Sequence, residues 1–171
     1  MNFIDLAAER YSVRSYSDRP VEPEKLALIL KAAQLAPTAC NYQPQKIYVL
    51  KSEDALRRVR GVTEFAFRAP VVLLVCVDGT KVWRSQWEPG YDSIDMDGSI
   101  VCDHMMLAAW DLGIGSCWVR GFNAGDVSRA FDLPESIHPV CMLFIGYPSE
   151  RSHPAHLHFE TRLLEEMVEE R

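Results

Sequence analysis

The stretch "APVVLLVCVD", residues 69–78, contains the longest apolar run of the chain, which extends from Ala69 to Val77. A continuous apolar run that is rich in β-branched residues is typical of a strand with both faces buried. The run is too short to cross a bilayer as a helix. It therefore predicts a folded domain built around a central buried sheet.

Helices and strands alternate on both sides of this stretch. Runs rich in β-branched and aromatic residues predict three more strands: "KIYVLKS" (46–52), "GSCWVRGF" (115–122) and "HPVCMLFIGYP" (138–148). Apolar residues at helical spacing predict helices over residues 2–9, Glu24–Leu35, 53–59, Ile94–Leu112, 124–134 and from Glu160 onward. This order predicts an α+β fold, or α/β sandwich, around a mostly buried sheet.

Single residues mark several of the helix ends. Pro23 is well placed to start the second helix, and Pro37 ends it. Gly113 suits the position after the long helix over 94–112, and Asn123 is predicted to cap the helix that follows. The long helix is apolar on most sides, which predicts a place in the middle of the protein or at an interface.

Length and composition narrow the class of protein. The 171 residues, with 48% hydrophobic and 25% charged side chains, predict one domain over residues 1–171 rather than a disordered chain. A net charge of -6 argues against a nucleic-acid partner. The opening "MNFIDLAAER" lacks the pattern of a signal peptide, so we expect a cytoplasmic protein with no membrane partner. The five cysteines are scattered and contain no CxxC, which argues against disulfides and zinc.

The segment "ERYSVRSY", residues 9–16, gathers cations in an acidic chain. Arg10 and Arg14 lie four residues apart, with Ser12 between them. Guanidinium groups form bidentate, charge-assisted hydrogen bonds with phosphate, and a serine hydroxyl adds a donor. The alternative is a solvated helix end in which the arginines pair with Glu9 or Asp18. The spacing alone leaves both interpretations open.

Three other segments carry polar or aromatic groups. "APTACNYQPQ" (36–45) is a loop that exposes the amides of Asn41 and Gln43, either for a ligand or in an ordinary turn. The region 80–92 holds large aromatic residues that could line a substrate cavity or a dimer contact. "HPAHLH" (153–158) brings three histidines together without ligands at a convincing spacing, so no metal is predicted.

Taken together, these motifs resemble the nitroreductase-like flavoproteins in their short form. "ERYSVRSY" is similar to an R-x-S-x-R motif, and "APTACNYQPQ" to an A-P-S-x-x-N-x-Q-P segment. "LAAWDLGIGSCWVRGF" (107–122) and "IGYP" (145–148) resemble the long helix, flavin-facing strand and closing strand. The resemblance implies a nitroreductase-like fold with a central, mostly antiparallel sheet flanked by helices. It also implies an intertwined homodimer with two FMN molecules at the subunit interface.

The resemblance also implies an activity. Two electrons would pass from NADH or NADPH through flavin N5 to nitroaromatic, quinone or related small acceptors, in a ping-pong cycle. No catalytic dyad is found and no catalytic residue is assigned, because the flavin carries the chemistry. The alternatives are another reaction on the same fold, such as reductive dehalogenation or flavin transformation, and a non-catalytic flavin-binding dimer.

The resemblance assigns residues to the cofactor and to the substrate. The cofactor-binding residues lie in the three motifs and before the last predicted helix: Arg10, Tyr11, Ser12, Arg14, Pro37, Thr38, Ala39, Asn41, Gln43, Cys117, Trp118, Val119, Arg120, Gly121 and Arg162. Arg151 is the alternative to Arg162 as a second phosphate cation. The substrate-facing residues are Trp83, Trp87, Tyr91 and Arg120. Arg120 stands where the family commonly has a small or acidic residue, and we expect it to favour anionic acceptors.

Overall fold

The structure, a computed structural model, describes residues 2–171 and is built on one four-stranded sheet. The strands are β1 (Gln45–Leu50), β2 (Val71–Asp78), β3 (Gly115–Val119) and β4 (Ile137–Gly146). They lie in the order β1-β2-β4-β3, and every neighbouring pair is antiparallel. The stretch 69–78 contains β2, an inner strand, as predicted, and the α+β class with a central antiparallel sheet is confirmed.

Helices cover both faces of the sheet. They are α1 (Phe3–Glu9), α2 (Pro23–Leu35), α3 (Glu53–Val62), α4 (Ile94–Asp111) and α5 (Ala124–Ala130). Successive side chains of a strand point to opposite faces. Leu73 of β2 therefore lies in the core beneath α2 and α4, whereas Leu74 lies in the core beneath α3 and α5. Both cores are apolar, so the side chains on both faces of β2 are apolar and the strand is a continuous apolar run in the sequence.

Local signals place several helix ends as predicted. Pro23 is the first residue of α2. Gly113 follows α4 with a φ of 74°, a conformation that glycine adopts without strain. The Asn123 side chain accepts a hydrogen bond from the Asp126 N–H at 3.1 Å and caps α5. Each signal acts within a few residues of its helix end, so tertiary contacts do not override it.

The helix predicted from Glu160 is wrong. Residues 160–171 are exposed and form neither an α-helix nor a strand, with one 3₁₀ turn over Leu164–Glu166. A helix of this length is marginal without a surface to pack on. In a helix, moreover, Glu165 and Glu169 would stand four residues apart and repel each other.

The predicted strand 115–122 is also too long, because β3 ends at Val119. The Phe122 N–H donates to the Arg120 carbonyl at 2.8 Å, so the chain turns sharply at Gly121. Arg120 and Gly121 consequently lie beyond the end of the strand.

A polar network joins the start of α2 to the end of α4. Lys25 donates to the Leu112 carbonyl at 2.8 Å and to the Tyr147 hydroxyl at 2.9 Å. The Tyr147 hydroxyl donates in turn to Glu22 at 2.7 Å. This hydrogen bond is the main reason that the pKa of Glu22 falls from 4.5 to about 2.

Glu22→Gln is expected to lower the melting temperature near neutral pH and to have less effect in acid. The folded state has the lower pKa, so ionised Glu22 stabilises the fold above pH 4.5, and this contribution is lost as the pH falls towards 2. Melting curves of both proteins across this range should converge at low pH. Glu24→Gln, in the first turn of α2 and two residues from Glu22, is the control. A difference in melting temperature between wild type and Glu22→Gln that does not change with pH would contradict this role.

Candidate functional site

The segment that follows α1 lies against β3. Ser12 forms a parallel bridge with Ser116, and the Val13 N–H donates to the Ser116 carbonyl at 2.8 Å. Val13 is fully buried and anchors the segment. Arg10 and Arg14 are therefore held by backbone contacts at the outer edge of the sheet.

These two arginines lack acidic partners. Neither forms an ion pair with Glu9, Asp18 or any other carboxylate in the range 2–171, and the Arg14 guanidinium donates only to the Ser12 carbonyl, at 3.3 Å. Burial raises the pKa of the Cys117 thiol on β3, while Arg14, Arg10 and a hydrogen bond from Ser12 oppose the rise. Cys117 is therefore a neutral thiol at physiological pH. The cations lie within electrostatic reach of β3.

A cavity of about 220 Å³ opens beside this cluster. Its walls combine Arg14 with two phenylalanines and the end of β3: Phe65, Phe67, Cys117, Trp118, Val119, Arg120 and Gly121. The Arg120 guanidinium lies 4.7 Å from the centre of the Phe122 ring and donates to the Phe122 carbonyl at 3.0 Å. Arg120 thus lines the cavity with its charged end held to one side.

The turn at Gly121 is fixed by residues that sequence reasoning missed. The Thr63 hydroxyl donates to the Gly121 carbonyl at 2.8 Å and accepts from the Phe65 N–H at 3.2 Å. A Cβ on Gly121 would lie 2.5 Å from the Phe65 ring, so any larger residue would displace that ring. No motif marks Thr63 or Phe65, because their contact with Gly121 spans more than fifty residues of chain.

The second cluster is the loop that precedes β1. Cys40, Asn41 and Gln43 have φ angles of 52°, 54° and 50°, in the left-handed region. Gln43 donates to the Asn41 side chain at 2.9 Å, and the Gln43 N–H donates to the Thr38 hydroxyl at 3.0 Å. Asn41 and Gln43 are exposed, and the loop presents their amides to the surroundings.

The aromatic residues of 80–92 lie near this loop. The Trp83 and Tyr91 rings meet edge to face with centres 6.2 Å apart, and Trp87 is 77% exposed. A cavity of about 310 Å³ between Tyr42 and residues 80–82 separates the two loops.

The two clusters lie at opposite edges of the sheet. The arginine segment borders β3, and the loop 37–43 leads into β1, with β2 and β4 between them. Three strand spacings of roughly 4.8 Å separate these edges by about 14 Å. Within one chain, Arg10, Ser12 and Arg14 therefore lie close to residues 117–121. Residues 37–43 lie close to residues 80–92. The two sets do not meet in one chain.

Two predicted cofactor residues are engaged elsewhere. The Tyr11 hydroxyl is 3.1 Å from that of Ser152, and its ring contacts Trp110 edge to face. Arg162 lies in the tail and pairs with Glu166 at 3.3 Å.

Two further features bear on the kind of site. In the part of the chain that the structure describes, no three side chains of metal-binding type come together, and His156 instead contacts Glu160 at 2.6 Å. None of the helices over residues 2–171 combines the length and apolar character needed to span a membrane.

Comparison with known proteins agrees with this architecture. The model of the Nitroreductase family matches residues 7–64 and 58–147, and the chain belongs to that family. A nitroreductase family protein from Clostridium difficile 630 has a crystal structure with a TM-score of 0.91 and 40% identity, covering 99% of this chain and 98% of that one.

Two other relatives have more specific names. An FMN-dependent nitroreductase from Clostridium difficile R20291 has a TM-score of 0.73 and 28% identity, covering 90% of this chain and 91% of its own. An FMN reductase [NAD(P)H] from Bacillus subtilis is 29% identical over 159 residues, which cover 82% of this chain and 64% of that protein.

Proposed function

We propose that this chain is a single-domain, FMN-dependent oxidoreductase that takes two electrons from NADH or NADPH and passes them to a small acceptor in a ping-pong cycle. The observation that carries the proposal is the pair of arginines without acidic partners, Arg10 and Arg14, of which Arg14 lines the cavity at the end of β3. The names of the relatives, which mention FMN and NAD(P)H, support the same cofactor and donor.

The edge of β3 fits a flavin with a phosphate tail. Arg10 and Arg14 would donate charge-assisted hydrogen bonds to the phosphate, and Ser12 would add a hydroxyl donor. Cys117 and the turn at Gly121 line a cavity that would receive the flavin ring, and Gly121 would let backbone N–H groups approach the ring edge. Bound FMN supplies hydride acceptance and two-electron transfer, and the chain supplies orientation and exclusion of water.

A second copy of the chain completes each site. Asn41 and Gln43 lie at the opposite edge of the sheet from Arg10 and Arg14, so one chain does not offer both sets to one flavin. In a two-fold dimer each copy contributes its arginine edge to one site and its loop to the other. The exposed apolar side chains of the tail support the same arrangement: Leu157, Phe159, Leu163, Leu164, Met167 and Val168.

Removing residues 160–171 is expected to weaken the dimer at least tenfold and to leave the fold of each chain intact. These residues are all exposed, so they contribute no buried core to their own chain. Their apolar side chains would be covered in the dimer. Sedimentation at decreasing protein concentration measures the dissociation, and circular dichroism checks the fold. An unchanged dissociation constant would show that the tail is not an interface element.

Arg120→Gly tests whether the charge near the cavity selects acceptors. We expect kcat/KM to fall about tenfold for an anionic acceptor and to change little for a neutral acceptor of the same size, because a nearby cation attracts only the former. Arg129→Gly, on the surface of α5, is the control. Equal losses for both acceptors would end this interpretation.

The overall function is tested by the visible spectrum of the purified protein loaded with FMN. Anaerobic NADH or NADPH should bleach the bound flavin, and a quinone or nitroaromatic should restore the colour. A protein that binds FMN without bleaching would be a flavin-binding dimer instead. A protein that stays colourless after soaking in excess FMN would overturn the proposal.

A further inference from the structure

Asp97 is a fully buried carboxylate in the first turn of α4. One of its oxygens accepts the Ala39 N–H at 2.8 Å, and the other accepts the Ser93 hydroxyl at 2.6 Å. Ser93 is also fully buried, and its oxygen accepts the Trp83 N–H at 3.2 Å. One carboxylate thus joins three separate segments of the chain.

The packing of α4 does not require an acid at this position. Val101 lies in an apolar core and Gly98 packs against Val140 of the same core, and a buried carboxylate is costly unless hydrogen bonds compensate it. The start of a helix favours negative charge. Asp95, exposed in the same turn, already provides that charge. The burial of Asp97 is therefore explained by its hydrogen bonds with Ala39 and Ser93.

The loop that Asp97 contacts has an unfavourable backbone. Its left-handed residues Cys40, Asn41 and Gln43 are not glycines, and such conformations persist only where the surroundings impose them. The other hydrogen bonds made by side chains to residues 38–43 start and end within the loop itself. Among the residues described, Asp97 is the only outside side chain that hydrogen-bonds to this loop.

We propose that Asp97 is a positioning residue that ties the flavin-facing loop 38–43 to the acceptor-facing loop 80–92. The inference rests on the proposed function for the roles of the two loops. Asp97 holds Asn41 and Gln43 through the Ala39 N–H, and it holds Trp83 through Ser93. The two links are separable, because the Ser93 hydroxyl joins Asp97 to the Trp83 N–H and does not contact Ala39, while the Ser93 N–H independently donates to the Trp83 carbonyl at 3.1 Å.

Hydrogen exchange of the FMN-free protein gives a readout that does not depend on activity. Asp97→Ala is expected to speed amide exchange at residues 39–43 at least tenfold. Asp97→Asn should restore most of the protection, since its amide oxygen still accepts from Ala39. Asp95→Ala, in the same helical turn, is the matched control and should exchange like the wild type.

Binding and kinetics separate the two links. Asp97→Ala should raise the Kd for FMN at least tenfold, with Asp97→Asn close to wild type. Ser93→Ala should leave the Kd for FMN within about twofold and raise the KM for the acceptor, because it removes the side-chain link from Asp97 to the Trp83 N–H and leaves the Ala39 hydrogen bond in place.

A second variant covers the case in which Asp97→Ala does not fold. Ala39→Pro deletes the same hydrogen bond from the loop side, and the extended conformation of Thr38 is compatible with a following proline. It should speed exchange over residues 40–43 in the same way.

The inference would be overturned if amide exchange over this loop were equally fast in Asp97→Ala and Asp95→Ala. Equal exchange rates in Ala39→Pro and wild type would also overturn it. Either result would count even if the substitution lowered the melting temperature. Wild-type protein that does not bind FMN would overturn the proposed function. The exchange experiment would still decide whether Asp97 positions the loop.

Discussion

Replacing Arg10 and Arg14 together by glutamine is expected to weaken FMN binding by at least about a hundredfold. Each arginine offers a charge-assisted hydrogen bond to the phosphate, worth about 1.5–3 kcal/mol, and about 1.4 kcal/mol corresponds to a tenfold change in affinity. Neither guanidinium is paired with a carboxylate in the residues that the structure describes, so no competing ion pair has to be broken on binding. Glutamine keeps a polar side chain and removes the charge.

Titration by quenching of flavin fluorescence measures this loss. Riboflavin, which has the same ring without the phosphate, is the internal control and should bind wild type and variant equally. Arg57→Gln with Arg129→Gln is the matched control for lost surface charge, because both arginines pair with aspartates on their own helices. An equal loss of affinity for FMN and for riboflavin would show that the arginines do not bind the phosphate.

The parts of the fold that the sequence predicts well depend on local chemistry. The stretch 69–78 is apolar on both faces, so it is stable as an inner strand, between two other strands and between two layers of helices. Pro23, Gly113 and Asn123 act within a few residues of the helix ends that they mark. For such features, neighbouring residues in the sequence are also the interacting residues in the structure.

The features that sequence reasoning missed depend on distant contacts. The tail from Glu160 has pairs of apolar and acidic residues at a spacing that suggests a helix, yet it lies exposed with only one 3₁₀ turn. The turn at Gly121 is fixed by Thr63, and the loop at Ala39 by Asp97, each 58 residues away. No pattern within a short window contains both partners of these contacts.

The candidate site shows the same division. The motifs at 9–16 and 36–45 point separately to phosphate and to a ring edge, but their positions relative to each other follow from the strand order β1-β2-β4-β3. That order sets Arg14 and Asn41 at opposite edges of one sheet. The sequence contains both halves of the proposed site, and only the fold indicates that two copies are needed to assemble it.

A site shared between two chains predicts that two inactive variants restore activity when they are combined. One chain carries Arg10→Gln with Arg14→Gln, and the other carries Asn41→Ala with Gln43→Ala. Each homodimer contains only damaged sites. The heterodimer pairs the intact edge of the second chain with the intact loop of the first, which gives one undamaged site of two.

The most direct measurement is therefore the NAD(P)H-dependent activity of the heterodimer, purified through a different tag on each chain. We expect about half the activity of the wild-type dimer, with both parent homodimers close to zero. A heterodimer no more active than its parents, or full FMN binding by a monomeric chain, would contradict a flavin site built from two copies.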